Sequence, residues 1–271
     1  MSTSEATGAR QASGDEQGGT ARTGTYVYGI VPSDVEVSDD ARGVGGESAK
    51  VDVIRHGEIA ALVSELSLDR PLGTPNDLVA HEGLLDATAA EVPVLPIRFG
   101  AVVTGPEAVV DELLAPHHDD FLSALRELEG KAQYVIKGRY VEQTVLREIM
   151  HEHPELADLR EQIRNQPEEV TRDARISIGE TVNQAISAKR DADTQAVIEA
   201  VTPICTLTSL RDPSHELDAV HLAVLIETDR QGDLEAALGK LAERWADRVA
   251  LRLLGPLAPY DFTVAPSAGE S

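Results

Sequence analysis

Ala219–Glu227, "AVHLAVLIE", and Asp247–Gly255, "DRVALRLLG", decide the fold. The first is a near-continuous run of β-forming apolar residues and reads as a buried strand. The second alternates, with Val249, Leu251 and Leu253 on one side. Between them Leu234, Leu238, Leu241 and Trp245 recur at helical steps. Strand, helix and strand, with an earlier strand near "PICTLTSL" (Pro203–Leu210), predict part of a ferredoxin-like split βαβ unit with a right-handed crossover.

Upstream, residues 143–202 are charged and helical, and Pro154 and Pro167 divide them. From Val170 on, Ala174, Ile178, Val182, Ala185 and Ile186 keep helical spacing, which predicts an amphipathic helix packing across two units. The earlier unit, residues 25–142, begins with "TYVYGIV" as a strand. "VDVIRHG" and "IAALVSEL" follow as a hairpin turning at Gly57-Glu58. Thr74 followed by Pro75 has the chemistry of a helix cap, and that helix should carry Leu78, Leu85 and Ala89 inward. "VPVLPIRFG" holds two prolines and suits an edge strand or extended segment. Thr104-Gly105-Pro106-Glu107 has capping-box spacing and predicts a helix through Leu113, with another through Leu125 and Leu128. "AQYVIKGRYVE" then reads as the strand that closes this unit.

The expectation is therefore an α+β protein of two domains. An N-terminal α+β sandwich, with helices on one face of a mainly antiparallel sheet, spans 25–142; a helical segment spans 143–202; a ferredoxin-like domain spans 203–264. Residues 1–24 read as a disordered tail and 265–271 as a flexible one.

Composition narrows the function. Against 24 basic residues stand 47 acidic ones, a net charge of −23, which repels phosphate backbones and anionic lipid. Nucleic acid and lipid membrane are thus not expected partners. Of the basic residues only 5 are Lys, and the acids are spread along the helices, a pattern suited to high salt, where screening shortens repulsion. No apolar run reaches the length of a membrane span, and Met1–Gly24 lacks the halves of a signal peptide, so a cytoplasmic setting is expected. A single cysteine, Cys205, offers no disulfide framework and reads as core.

The candidate chemistry is sparse. "PHHDD" (Pro116–Asp120) and "MHEHPE" (Met150–Glu155) crowd histidines and acids, but adjacent helical residues diverge by about 100° and make no ready cage. They read as solvated helix ends, and His221 as a hydrogen-bonded histidine in a strand. Gly43-Val44-Gly45-Gly46 lacks the remaining elements of a phosphate loop. No nucleophile elbow, HExxH or dinucleotide fingerprint is present, so no catalytic residue, metal or cofactor is expected. Two segments remain. In one, Arg98, Phe99 and Gly100 interrupt an apolar run; in the other, Gly255, Pro256, Leu257, Pro259, Tyr260 and Phe262 follow the last strand, which Gly255 should stop. Each reads either as a lock within the fold or as a partner contact.

At these segments the chain resembles the gas vesicle accessory protein F/L family. The resemblance rests on "YVYGIV" (Tyr26–Val31), "HEGLL" (His81–Leu85) leading to "VPVLPIRFGAVV" (Val92–Val103), and "LRLLGPLAPYDF" (Leu251–Phe262), and covers about Thr25 to Val264. The family pattern commonly ends Gly-Pro-Trp-Pro-Pro-Tyr-Ser-Phe, where this chain has Leu257, Ala258 and Asp261 in place of Trp, Pro and Ser. The resemblance implies a non-enzymatic protein of gas vesicle formation with an α+β N-terminal and a ferredoxin-like C-terminal domain. Its implied partners are the small hydrophobic shell protein, protein A, and other accessory proteins. The acidic composition is similar to that of haloarchaeal members, and the length is nearer the L branch. The rival reading is a small-molecule enzyme on a ferredoxin-like sheet.

Overall fold

The computed structural model describes residues 22–263 apart from 39, 47, 48 and 165. The expected tails therefore lie largely outside the described residues. Thr23 and Gly24, placed by the sequence in the first tail, already pair with Ser67 and Leu66 and begin strand β1.

Two antiparallel sheets form the frame. The first has the order β2-β3-β1-β4, from Val51–His56, Ile59–Ser67, Thr23–Pro32 and Leu95–Pro96, with β5 (Val102–Val103) also on β1. The hairpin turns at Gly57, whose φ of 60° suits glycine. Helix α1 (Pro75–Ala89) starts where Thr74 accepts from the Asp77 amide while the Asp77 carboxylate accepts from the Thr74 amide. The inward residues of α1 are Asp77, His81 and Leu85. Leu78 is instead 41% exposed. The polar groups of the buried stripe have partners: His81 meets the Tyr26 hydroxyl of β1, and Asp77 accepts from Arg70 and from the Thr74 cap.

Helices cover both faces of this sheet, not one. Leu85 packs with Tyr26, Tyr28 and Leu62 on one face; Phe121, Leu125 and Leu128 of α3 (His118–Leu128) pack with Val27, Ile30 and Ala61 on the other. The reason is in the strands: "YVYGIV" and "IAALV" lack polar alternation, which is how a strand buried on both sides reads. The capping box at Thr104 does not form. Gly105 caps the short helix α2 (Pro106–Ala108) without a side-chain bond, and the chain continues in wider π turns over Val109–Leu114.

The second sheet has the order β7-β8-β6-β9, from Leu207–Leu210, Asp218–Glu227, Lys131–Tyr140 and Val249–Leu257. Strand β6, expected to close the first unit, lies at the centre of this one, between β8 and β9. It supplies the strand that a split βαβ requires between its two parallel members, completing the β-α-β-β-α-β order of a ferredoxin-like sheet. Its apolar run of Tyr134, Val135 and Ile136, each 2% exposed or less, marks a central strand and would not suit an edge.

Pro154 and Pro167 do divide the helical segment, into α4 (Glu142–Glu152), α5 (Pro154–Ile163) and α6 (Glu168–Val201). Helix α6 does not bridge the units. Ile186, Val197 and Val201 join the core formed with Leu222, Val224 and Ile226 of β8 and with α7 (Gln231–Arg244). An ionic knot fastens this layer: Tyr140 Oη donates to Asp193 at 2.6 Å, and Arg248 pairs with Asp193 at 2.8 Å and Glu148 at 3.1 Å. Among the described residues no helix is long and apolar enough to cross a membrane.

Candidate docking groove and its strap

The last strand does not stop at Gly255. It runs through Pro256 to Leu257, which pairs with Gln133 past a register shift. Proline lacks the N–H of a ladder but is tolerated on an edge strand such as β9. Gly255 is required by geometry: its φ is 143°, and a Cβ there would lie 2.9 Å from the Gln133 carbonyl oxygen and 2.6 Å from Tyr134 Cδ1.

Beyond Leu257 the chain leaves the second sheet and straps onto the first unit. Ala258 is fully buried with Tyr26 and Tyr28, and its amide donates to Asp86 Oδ1 of α1 at 2.8 Å. Phe262 packs against Leu95, Ile97 and Phe121. Asp261, where the family pattern has Ser, reaches back to the second unit. Its carboxylate accepts from Arg211 Nε at 2.8 Å and from Gln133 Nε2 at 2.6 Å, and its amide donates to Gln133 Oε1 at 3.0 Å. Tyr260 is 37% exposed, beside α1, and burial together with Asp86 and Glu82 raises its hydroxyl pKa above the usual range.

The other candidate segment meets this strap. Phe99 sets its ring edge against His81, 5.5 Å between centroids, within the cluster that also holds Ala258. Gly100, at φ 92°, donates its amide to Tyr26 Oη at 3.1 Å. That hydroxyl also shares a hydrogen bond of 3.0 Å with His81 Nδ1. Burial holds the His81 imidazole neutral, with its pKa lowered to about 4. Arg98 is exposed and its side chain makes no hydrogen bond or ion pair among the described residues. Ala258 is thus buried and Phe99 half-buried, while Gly100 and Gly255 are exposed backbone held by their contacts, and Arg98 and Tyr260 face outward.

Between the units a groove of about 600 Å³ opens. Helix α3 lines it with Phe121, Ala124 and Leu128, the edge of the first sheet with Leu95 and Ile97, the second sheet with Leu207 and Leu225, and the strap with Phe262. Asp120, Glu127 and Lys131 supply its charges. Among the described residues strand β7 pairs only with β8, which leaves its outer edge open, and Leu207 there is 51% exposed. Of this lining the sequence reading singles out Phe262, and Leu95 and Ile97 lie in the other candidate segment; Leu128 and Leu225 read there as core, because a groove wall and a core face share one apolar period.

Other predicted positions lie apart. His118 stacks edge-on with His56 at 5.8 Å and bonds Asp119, and His153 bonds Glu155, both at helix ends. His221 is half-buried, its Nδ1 2.9 Å from the Asp212 carbonyl oxygen. Among the described residues no three His, Cys, Asp or Glu side chains gather to hold a metal. The Cys205 thiol is half-buried and pushed up to about 11 by that burial, slightly offset by Arg230, far from a thiolate nucleophile.

Two solved structures share this fold. The gas vesicle protein GvpF from Anabaena sp. PCC7120 matches 90% of this chain and all of its own at a TM-score of 0.73 and 23% identity; that from Microcystis aeruginosa matches 88% at 0.70 and 21%. The family model for gas vesicle synthesis protein GvpL/GvpF matches residues 24–264, and the chain belongs to that family. Gas vesicle protein F of Streptomyces sp. (strain CB03234) is 32% identical over 242 residues, 88% of this chain and 98% of its own. Gas vesicle protein L1 of Halobacterium salinarum is 24% identical, with 93% of each chain covered, so full-length similarity extends to both branches.

Proposed function

We propose that this chain is a non-enzymatic accessory protein of gas vesicle assembly that docks the hydrophobic shell protein, with other accessory proteins, in the groove between its units. Family membership supports the gas vesicle role. The observation that carries the docking step is the apolar groove beside the open edge of β7. An extended apolar segment laid there could bond the strand edge and bury its side chains against Phe121, Leu128 and Phe262. A shell protein must avoid aggregation until it joins its wall, and a covered apolar segment on an acidic carrier stays soluble. The protein would act in the cytoplasm, at the growing vesicle, and at high salt.

The test is a pull-down of the shell protein with wild type and with Ala124→Arg, which fills the groove from α3. Capture by wild type and its loss in the variant supports groove docking. Equal capture by both would move the contact elsewhere, and no association at working salt, direct or through other accessory proteins, would sink the proposal.

A further inference from the structure

The open face of the second sheet carries a cluster of basic residues, of which Lys137 and Arg252 have no acidic partner among the described residues. His221, Lys137 and Arg252 are register partners across β8, β6 and β9. Arg139, two residues along β6, lies beside them, and Lys137, Arg139 and Arg252 line one hollow of about 370 Å³. All three are exposed. Lys137 and Arg252 make no hydrogen bond or ion pair among the described residues. The Asp218 carboxylate at the rim is already engaged by Arg139 and by the Ser214 and His215 amides.

Like charges directly opposite on neighbouring strands destabilise a sheet. With 47 acidic residues and 24 basic ones in the chain, two cations facing each other with no acid between them is unexpected from charge balance alone. Leu254 and Val141, 43% and 41% exposed, flank the row and give it apolar margins.

We propose that this face binds a carboxylate-rich segment of a partner protein. Charge complementarity selects an acidic occupant, and the apolar flanks suit a polypeptide with side chains between its acids. A nucleic acid fits less well. Among the described residues no exposed Phe, Tyr or Trp lines the hollow for bases to stack on. The site is at the opposite end of the sheet from Leu207 and Leu225 in the groove, so both could be occupied at once.

Lys137→Glu tests this without risking the fold, because it places a carboxylate opposite Arg252 and beside Arg139. Its Tm should rise by about 2 °C as repulsion becomes attraction. A fluorescein-labelled oligoglutamate peptide, titrated by anisotropy at low salt, should bind wild type at least about tenfold more tightly than Lys137→Glu, and an oligoglutamine peptide should bind neither. Equal oligoglutamate binding by the two proteins would overturn the proposal. So would tighter binding of a single-stranded oligonucleotide than of oligoglutamate, or a fall in Tm, which would make Lys137 a structural residue.

Discussion

Asp261→Ala cuts the strap where it returns to the second sheet. The side chain holds Arg211, whose own side chain is 30% exposed, and the amide of Gln133, which is fully buried. Removing it strands the Gln133 amide donor, at about 1–2 kcal/mol, and breaks a partly screened ion pair worth about 1 kcal/mol. The Asp261 backbone amide still reaches Gln133 Oε1, so that bond survives. The sum is about 2–3 kcal/mol. For a chain of this size that corresponds to a fall in Tm of about 4–6 °C in differential scanning fluorimetry. In a double-mutant cycle Arg211→Ala should add little to Asp261→Ala, since both remove the same pair. A Tm within about 1 °C of wild type would refute the strap as a structural lock.

Other perturbations follow from the same geometry. Gly255→Ala forces a Cβ against the Gln133 backbone at positive φ and should lower stability by about 2–4 kcal/mol in urea unfolding. His81 has a pKa of about 4 when folded against 6.5 when free, so the unfolded chain binds the extra proton between these values. Its contribution is full above pH 6.5 and lost by pH 4, about 3 kcal/mol in all; His81→Leu should flatten that limb of the stability profile. Tyr260→Ala separates the roles left to the strap's outer surface: a lost fold marks a lock, and lost partner binding with an unchanged Tm marks a contact. Transfer to low salt should lower Tm if the charge of −23 is tuned to screening, and unchanged stability would count against a halophilic setting.

The elements with strong punctuation were legible in the sequence. Pro154 and Pro167 divide the helices, Thr74-Pro75 starts α1, and the strand, helix and strand after Ala219 appear where the periodicity places them. What failed were questions of partnership. Strand β6 was recognisable as a strand, but local pattern does not say which sheet it joins, and its true neighbours are about a hundred residues downstream. Leu78 reads as inward because apolar residues usually are, whereas the buried face of α1 belongs to Asp77, which bonds Arg70 and Thr74, and to His81, which meets the Tyr26 hydroxyl. The two candidate segments were found by their unusual backbone chemistry, and they do meet, through Phe99 and Ala258. In the sequence Asp261 is only a departure from the family pattern; its tie to Arg211, 50 residues away, exists in three dimensions alone.

The most direct test of groove docking is in cells. The gene is deleted and replaced by wild type or by Ala124→Arg at matched protein level, and vesicles are counted by electron microscopy. Wild type should restore vesicles and Ala124→Arg should not. Normal vesicles with the filled groove would contradict docking there, and normal vesicles in the deletion itself would contradict a required role in assembly.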